Sequence, residues 1–193
     1  MTELVTQVLA LVAFFAFPAL QYVLLKRFSI REGRPELFYL PAYGFRLVVR
    51  NIPGKRSLSE IKYRALLREV VPAGDGASVA TFHDTLLLQR EDFFLFPGFD
   101  QVLVSFKLIG KESDLFFVHT DKLGAEISRF PIAPSVSLIA DYSASLKNLL
   151  NFDVKLAKRA EVNAERLVEA FRAVKETPDQ EQQFLPTRVR DVG

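Results

Sequence analysis

Cysteine is missing from this 193-residue chain, and histidine occurs only twice. Without cysteine the chain can form no disulfide bond, thiolate metal site or cysteine nucleophile. The sequence also lacks the glycine-rich loops that bind nucleotides and the GxSxG motif of serine hydrolases. Because no nucleophile, phosphate cradle or metal cluster is visible, we predict a protein that is not an enzyme, binds no metal and needs no cofactor.

His83 and His119 offer a catalytic alternative. Each lies near an acid, in His83-Asp84 and in His119-Thr120-Asp121, and both fall near the ends of predicted strands. A shared acid–base or metal site would require the two side chains to meet in the fold. Their spacing matches no metal-binding motif, so we expect surface or packed histidines instead.

Charged residues are absent from the 22 positions between Leu4 and Leu25. A helix of that length covers roughly 33 Å, enough to cross a lipid bilayer. We therefore predict a transmembrane anchor in residues 1–27 and a basic juxtamembrane linker in 28–35. A row of small residues in the span suits either packing against another membrane helix or plain contact with lipid. The row comprises Ala10, Ala13, Ala16 and Ala19.

Positive charge on one side of this segment sets the predicted orientation. No Lys or Arg precedes it, and several follow it. The positive-inside rule then places the amino terminus outside and the carboxy-terminal domain in the cytoplasm of a cell with an inner or plasma membrane. The residues that would set this topology and attract anionic lipid headgroups are Lys26, Arg27, Arg31 and Arg34.

The charge is unevenly distributed along the chain. From Lys26 to Arg68 there are 11 Lys and Arg against 3 Asp and Glu, a balance of +8, and the total of +2 leaves −6 for the rest. Such a basic block can bind anionic lipid or an acidic surface of a neighbouring membrane protein. Nucleic acid is not expected, because no recognition helix or RNP-like aromatic pattern accompanies the charge.

Residues 36–176 are predicted to form one α+β cytoplasmic domain, followed by a flexible tail in 177–193. Its middle part contains short apolar runs, separated by Gly, Pro and Asp breaks, that predict an antiparallel β meander or small barrel. The runs are 79–82, 85–89, 93–96, 102–108, 115–119 and 126–130. Residues 57–70 fit a capped helix or a strand, and we favour the helix.

Two carboxy-terminal amphipathic helices are predicted after these strands. In the first, apolar residues between Leu138 and Leu150 fall at helical spacing. The second begins after Asp153, and its small and apolar positions follow a heptad spacing. They suit either packing on the domain's own sheet or a seam for another subunit, and they are Ala157, Ala160, Ala164, Leu167, Phe171 and Val174.

This layout predicts a non-catalytic accessory or scaffold subunit that packs its span and its cytoplasmic domain against other integral membrane subunits. One alternative is a membrane-tethered module that binds lipid or a ligand in a small pleckstrin-like barrel. The other is an enzyme that uses His83 and His119.

Overall fold

The computed structural model describes residues 34–50, 57–71, 81–95, 99–147 and 153–192, together with five separate helical positions near the amino terminus. Those five positions, all exposed, are Gln7, Phe14, Ala16, Phe17 and Leu20. The chain divides into two compact units, Met1–Gly33 and Arg34–Gly193.

Eleven strands and one helix make up the described part of the second unit. In chain order they are β1 (Pro35–Leu40), β2 (Gly44–Arg50), β3 (Leu58–Val71), β4 (Thr81–Leu95), β5 (Asp100–Lys111), β6 (Asp114–Thr120), β7 (Glu126–Pro131), β8 (Val136–Lys147), β9 (Asp153–Asn163), α1 (Ala164–Glu176), β10 (Gln182–Phe184) and β11 (Arg188–Asp191). Sheet A has the strand order β10-β1-β2-β5-β6-β7, and sheet B has the order β11-β9-β8-β3-β4. All of the strand pairs are antiparallel.

The two sheets share one hydrophobic core. Alternation along each strand directs every second side chain inward. In sheet A the rings of Phe45, Phe106 and Phe117 stack in sequence, with centroid separations of 5.4 and 4.5 Å. Inward residues of sheet B, among them Tyr63 and Tyr142, belong to the same core. The domain is therefore a β-sandwich.

Helix α1 belongs to this core as well. It begins after Asn163, whose side-chain oxygen accepts a hydrogen bond from the Arg166 backbone N–H at 3.0 Å. The Thr187 hydroxyl donates to the same oxygen at 2.8 Å and so ties the start of the helix to the segment before β11. Leu167 and Phe171 on the buried side of the helix pack into the core.

The predicted fold class, a single-pass membrane protein with an α+β domain and two carboxy-terminal helices, is wrong. The domain is mostly β-sheet and has one helix among its described residues. No helix in the described part of the chain is long and apolar enough to cross a membrane. Apart from Gln7, Phe14, Ala16, Phe17 and Leu20, the predicted span lies outside the described residues, as do Ala10, Ala13 and Ala19.

The first predicted carboxy-terminal helix is strand β8 as far as Lys147. Its inward positions alternate as Leu138, Ala140, Tyr142 and Ala144, all of them buried. Ile139, on the opposite face, is buried too. That extra apolar position gave the segment its helix-like spacing. When apolar residues lie on both faces of a strand, the alternation of apolar and polar residues is no longer visible in the sequence.

The second predicted helix is a strand over its first half. Ala157 and Ala160 lie on β9, and the helix itself contains Ala164, Leu167, Phe171 and Val174. On β9 the buried positions alternate as Leu156, Lys158 and Ala160, and the lysine interrupts the apolar pattern. Residues 57–70, for which a helix was favoured, form β3.

The segment predicted as a flexible tail contains two short strands. β10 pairs with β1, and β11 pairs with β9, so the tail adds an edge strand to each sheet. Tyr39 on β1 also donates a hydrogen bond from its hydroxyl to the Pro178 carbonyl at 3.2 Å. The described part of the tail is therefore packed on the sandwich.

Candidate interaction surface

The two histidines lie on different sheets. His83 on β4 is exposed, whereas His119 on β6 is buried and shares the inward side of its strand with Phe117. Burial lowers the pKa of His119, so that its ring stays neutral at pH 7. Within the described residues no group of three or more His, Asp and Glu could hold a metal ion. His83 and His119 therefore occupy separate environments.

Most of the basic residues on β2 and β3 pair with acids from later strands. The pairs are Arg50–Asp100 at 3.6 Å, Lys62–Glu91 at 3.1 Å, Arg64–Asp141 at 2.8 Å and Arg68–Asp84 at 2.6 Å. Four cations of the basic block are thus held in cross-strand ion pairs. Among the residues predicted to meet lipid headgroups, Arg34 is exposed, and Lys26, Arg27 and Arg31 lie outside the described residues.

The outer face of sheet B carries a network of arginines and aspartates. Asp141 on β8 accepts hydrogen bonds from Arg64 on β3 and from Arg159 on β9. Burial by itself would raise the pKa of Asp141, but the hydrogen bonds from the two arginines outweigh it and lower the pKa. Arg68 donates two hydrogen bonds to Asp84, at 2.7 and 2.6 Å, and they lower the pKa of that carboxyl. We call these five residues the charged face.

Apolar side chains border the charged face on β4. Phe82 and Leu86 are 56% and 57% exposed and lie on either side of Asp84 along the same side of the strand. Leu86 pairs in register with Leu66 on β3, which pairs in turn with Ile139 on β8. Leu66 and Ile139 are buried, whereas Leu86 is exposed. The three residues form an apolar row that runs from the middle of sheet B to its edge.

Strand β4 forms that edge over 15 residues. It pairs with β3 on one side, and within the described residues no strand pairs with its other side. Every side chain from Thr81 to Leu86 is exposed, so both faces of this segment are uncovered. An edge strand presents unpaired N–H and C=O groups to which a further strand can bind. The free edge of Thr81–Leu86 and the side chains of Phe82 and Leu86 together make the candidate interaction surface.

Sequence reasoning did not single out these residues. The segment that forms β4 was predicted as three short strands, 79–82, 85–89 and 93–96, of a β meander or small barrel. Alternation of apolar and polar residues indicates that one side of a strand is apolar. It does not indicate whether another layer of the protein covers that side. The usable signal was the Asp84 carboxylate between Phe82 and Leu86, because a charge seldom lies on the buried side of a strand.

The residues predicted as an interface helix lie elsewhere. Ala160, Leu167, Phe171 and Val174 belong to the sandwich's own core, and Ala164 is buried as well. These five positions are therefore occupied by packing within the domain.

Comparisons of the chain with protein-family models, with curated proteins and with solved structures give no match.

Proposed function

We propose that this chain is a non-catalytic interaction subunit and that a partner protein adds a β-strand to the free edge of β4. The observation that supports this proposal most directly is the combination of Phe82 and Leu86, exposed on one side of β4, with an edge that has no strand partner in the described residues. Main-chain hydrogen bonds would supply affinity, and the two apolar side chains would select the partner.

The charged face limits the chemistry of that partner. Arg68 is bound to Asp84, and Arg64 and Arg159 are bound to Asp141, so the arginines are already matched by acids of this chain. An acidic partner would have to break these pairs before it gained anything from them. We therefore expect an extended segment with apolar side chains at alternate positions, facing Phe82 and Leu86.

A non-catalytic role agrees with the function predicted from the sequence. The predicted location at an inner or plasma membrane, and the predicted membrane-protein partners, remain predictions. The lipid-binding alternative receives less support, because Arg50, Lys62, Arg64 and Arg68 are held in ion pairs.

Site-specific cross-linking tests this proposal. A photoreactive amino acid would replace Leu86 in the full chain, produced in cells that normally make it. Ile127 provides a matched control, because it is 60% exposed and lies on β7, the edge strand of sheet A. We expect one protein to be cross-linked from position 86 and not from position 127. Mass spectrometry of the adduct should identify an extended segment of that protein.

The partner found in this way would then be purified and bound to the full chain. Leu86→Lys places a charge in the proposed contact and should weaken binding at least about tenfold, while Ile127→Lys should leave it unchanged. Circular dichroism would establish that both variants are folded. Equal cross-linking at the two positions, an adduct only with lipid or with a second copy of this chain, or normal binding by Leu86→Lys would contradict the proposal.

A further inference from the structure

A row of polar side chains crosses the outer face of sheet A. Arg46 on β2 pairs in register with Ser105 on β5, and Ser105 pairs with Thr120 on β6. The outer face of a sandwich usually meets solvent, but Ser105 and Thr120 are buried. The row is thus a sheltered polar site and lies on the opposite sheet from the candidate interaction surface.

The loop between β6 and β7 is fastened to the sheet beside this row. Arg46 donates a hydrogen bond from Nη2 to the Lys122 carbonyl at 3.0 Å, and Lys107 donates one from Nζ to the Gly124 carbonyl at 3.0 Å. Within the loop, one carboxylate oxygen of Asp121 accepts from the backbone N–H groups of Leu123 and Ala125, at 2.9 and 2.8 Å. The loop is therefore held in one conformation before any ligand arrives.

Two buried polar atoms in the row lack a hydrogen-bond partner within the described residues. They are Nε of Arg46 and Oγ1 of Thr120. Buried polar groups in folded proteins are nearly always paired with protein, ordered water or a ligand. Two such atoms on either side of Ser105 mark the row as a place where the described residues leave polar groups unpaired.

Arg46 and Ser105, although not Thr120, line a cavity of about 580 Å³. Its hydrogen-bond donors are Arg46, Lys122, Ser105 and Gln101, and its acids are Asp92 and Asp100. That volume lies in the range of small-molecule sites. Because Asp100 pairs with Arg50 at 3.6 Å, Arg46 and Lys122 are set against one further acid, Asp92. The resulting formal charge near +1 suits a ligand with a single negative charge better than a dianion such as phosphate.

We propose that this cavity binds a small organic molecule through a carboxylate group. The carboxylate accepts hydrogen bonds from the guanidinium of Arg46 and from the hydroxyl of Ser105. A guanidinium is planar and presents parallel N–H groups, so it matches the two oxygens of a carboxylate better than an ammonium does. The proposal does not depend on strand addition at β4, and either one can fail without the other.

Titration of the full-length protein with sodium acetate, followed by two-dimensional ¹⁵N–¹H NMR, tests this inference. Sodium chloride at the same ionic strength serves as the blank, and inorganic phosphate serves as the dianion. We expect saturable shifts at Arg46, Ser105 and the 121–125 loop with acetate, and weaker binding of phosphate. Arg46→Lys and Ser105→Ala should each weaken acetate binding about tenfold or more, because each removes a hydrogen bond to a charged group.

Arg129→Lys is the matched control, because Arg129 pairs with Glu126 at the far edge of the same sheet. It should bind acetate as the unaltered chain does. Ser105→Ala keeps the proposal testable if Arg46→Lys disturbs the loop. Shifts that never saturate, tighter binding of phosphate than of acetate, or unchanged binding by Ser105→Ala would overturn the inference and leave ordered water as the partner of the row.

Discussion

Tyr142 shows that this core tolerates a buried hydroxyl without a partner. Its ring is fully buried on β8, and its hydroxyl has no hydrogen-bond partner within the described residues. Burial raises the pKa of the phenol, so it stays protonated at neutral pH. Burial of an unpaired hydroxyl costs roughly 1–3 kcal/mol. Tyr142 therefore stabilises the sandwich through its ring and not through its oxygen.

We expect Tyr142→Phe to leave the free energy of unfolding unchanged or to raise it by up to about 1 kcal/mol, because the substitution removes an unpaired buried polar atom. Urea unfolding followed by circular dichroism would measure the change. Tyr39→Phe is the comparison, since it removes the hydroxyl that donates to Pro178 and should lower stability slightly. A loss of more than about 1 kcal/mol in Tyr142→Phe would mean that the hydroxyl is paired in solution.

The side-chain oxygen of Asn163 accepts two hydrogen bonds. It caps helix α1 through the Arg166 N–H and accepts from the Thr187 hydroxyl. We expect Asn163→Ala to lower the free energy of unfolding by about 1 kcal/mol, as the loss of a helix cap does elsewhere. Urea unfolding gives the value. An Asn163→Asp variant, which keeps the accepting oxygen, should lose much less, and an equal loss in the two variants would contradict this role.

At the scale of elements, the charged face joins three strands of sheet B through Asp141. Since the pKa of Asp141 in the folded protein is below its usual value, the ionised form favours the folded state. This contribution is fully present above the unfolded pKa of about 4 and is lost as pH falls through the folded value. The linkage of β3, β8 and β9 by this carboxylate should therefore weaken as the pH falls and the carboxylate is protonated.

We expect Asp141→Asn to lower the free energy of unfolding by about 1–3 kcal/mol at neutral pH, because two arginines lose a charged partner. The difference from the unaltered protein should shrink as the pH falls below about 4. Thermal unfolding at several pH values would measure it. Glu126→Gln, which breaks an exposed ion pair with Arg129, should have a much smaller effect. A pH-independent difference would rule out ionisation of Asp141 as the cause.

The strands that could be located from the sequence are short apolar runs bounded by Gly, Pro or Asp breaks. The predicted runs 102–108, 115–119 and 126–130 fall within β5, β6 and β7. The helix prediction for residues 57–70, which form β3, rested on a capping-box pattern at its start. The one for β8 rested on Ile139, a buried apolar position on the outer side of the strand. On β9 the buried Lys158 had the opposite effect and removed an apolar position from the alternation. Whether a residue is buried depends on which strands lie beside its own, and a single sequence does not show which strands are neighbours.

At the scale of the whole molecule, part of the charge asymmetry of the sequence is matched by acids of the same domain. Arg64 and Arg68 read as part of a basic block, yet they pair with Asp141 and Asp84, which lie 77 and 16 residues further along the chain. The pairing of β1 with β10 could not be predicted either, because it joins residues as distant in the sequence as Leu37 and Phe184. Contacts over such separations decide both the two-sheet architecture and the exposure of Phe82 and Leu86.

The candidate interaction surface could be predicted from the sequence only as strand-forming segments. The surface exists because β4 lies at the edge of sheet B and because the side chains from Thr81 to Leu86 are left uncovered. Both properties belong to the assembled sandwich. The same limit applies to the row formed by Arg46, Ser105 and Thr120, whose members come from three separate strands.

Amide hydrogen exchange of β4, in the free chain and in the complex with the partner cross-linked at position 86, tests the central claim most directly. Strand addition predicts that amides between Thr81 and Leu86 exchange more slowly in the complex at alternate positions, those whose N–H groups point away from β3. Exchange in β7 should not change, and Leu86→Lys should abolish the protection. Unchanged exchange throughout β4 in a complex that is otherwise intact would contradict the account.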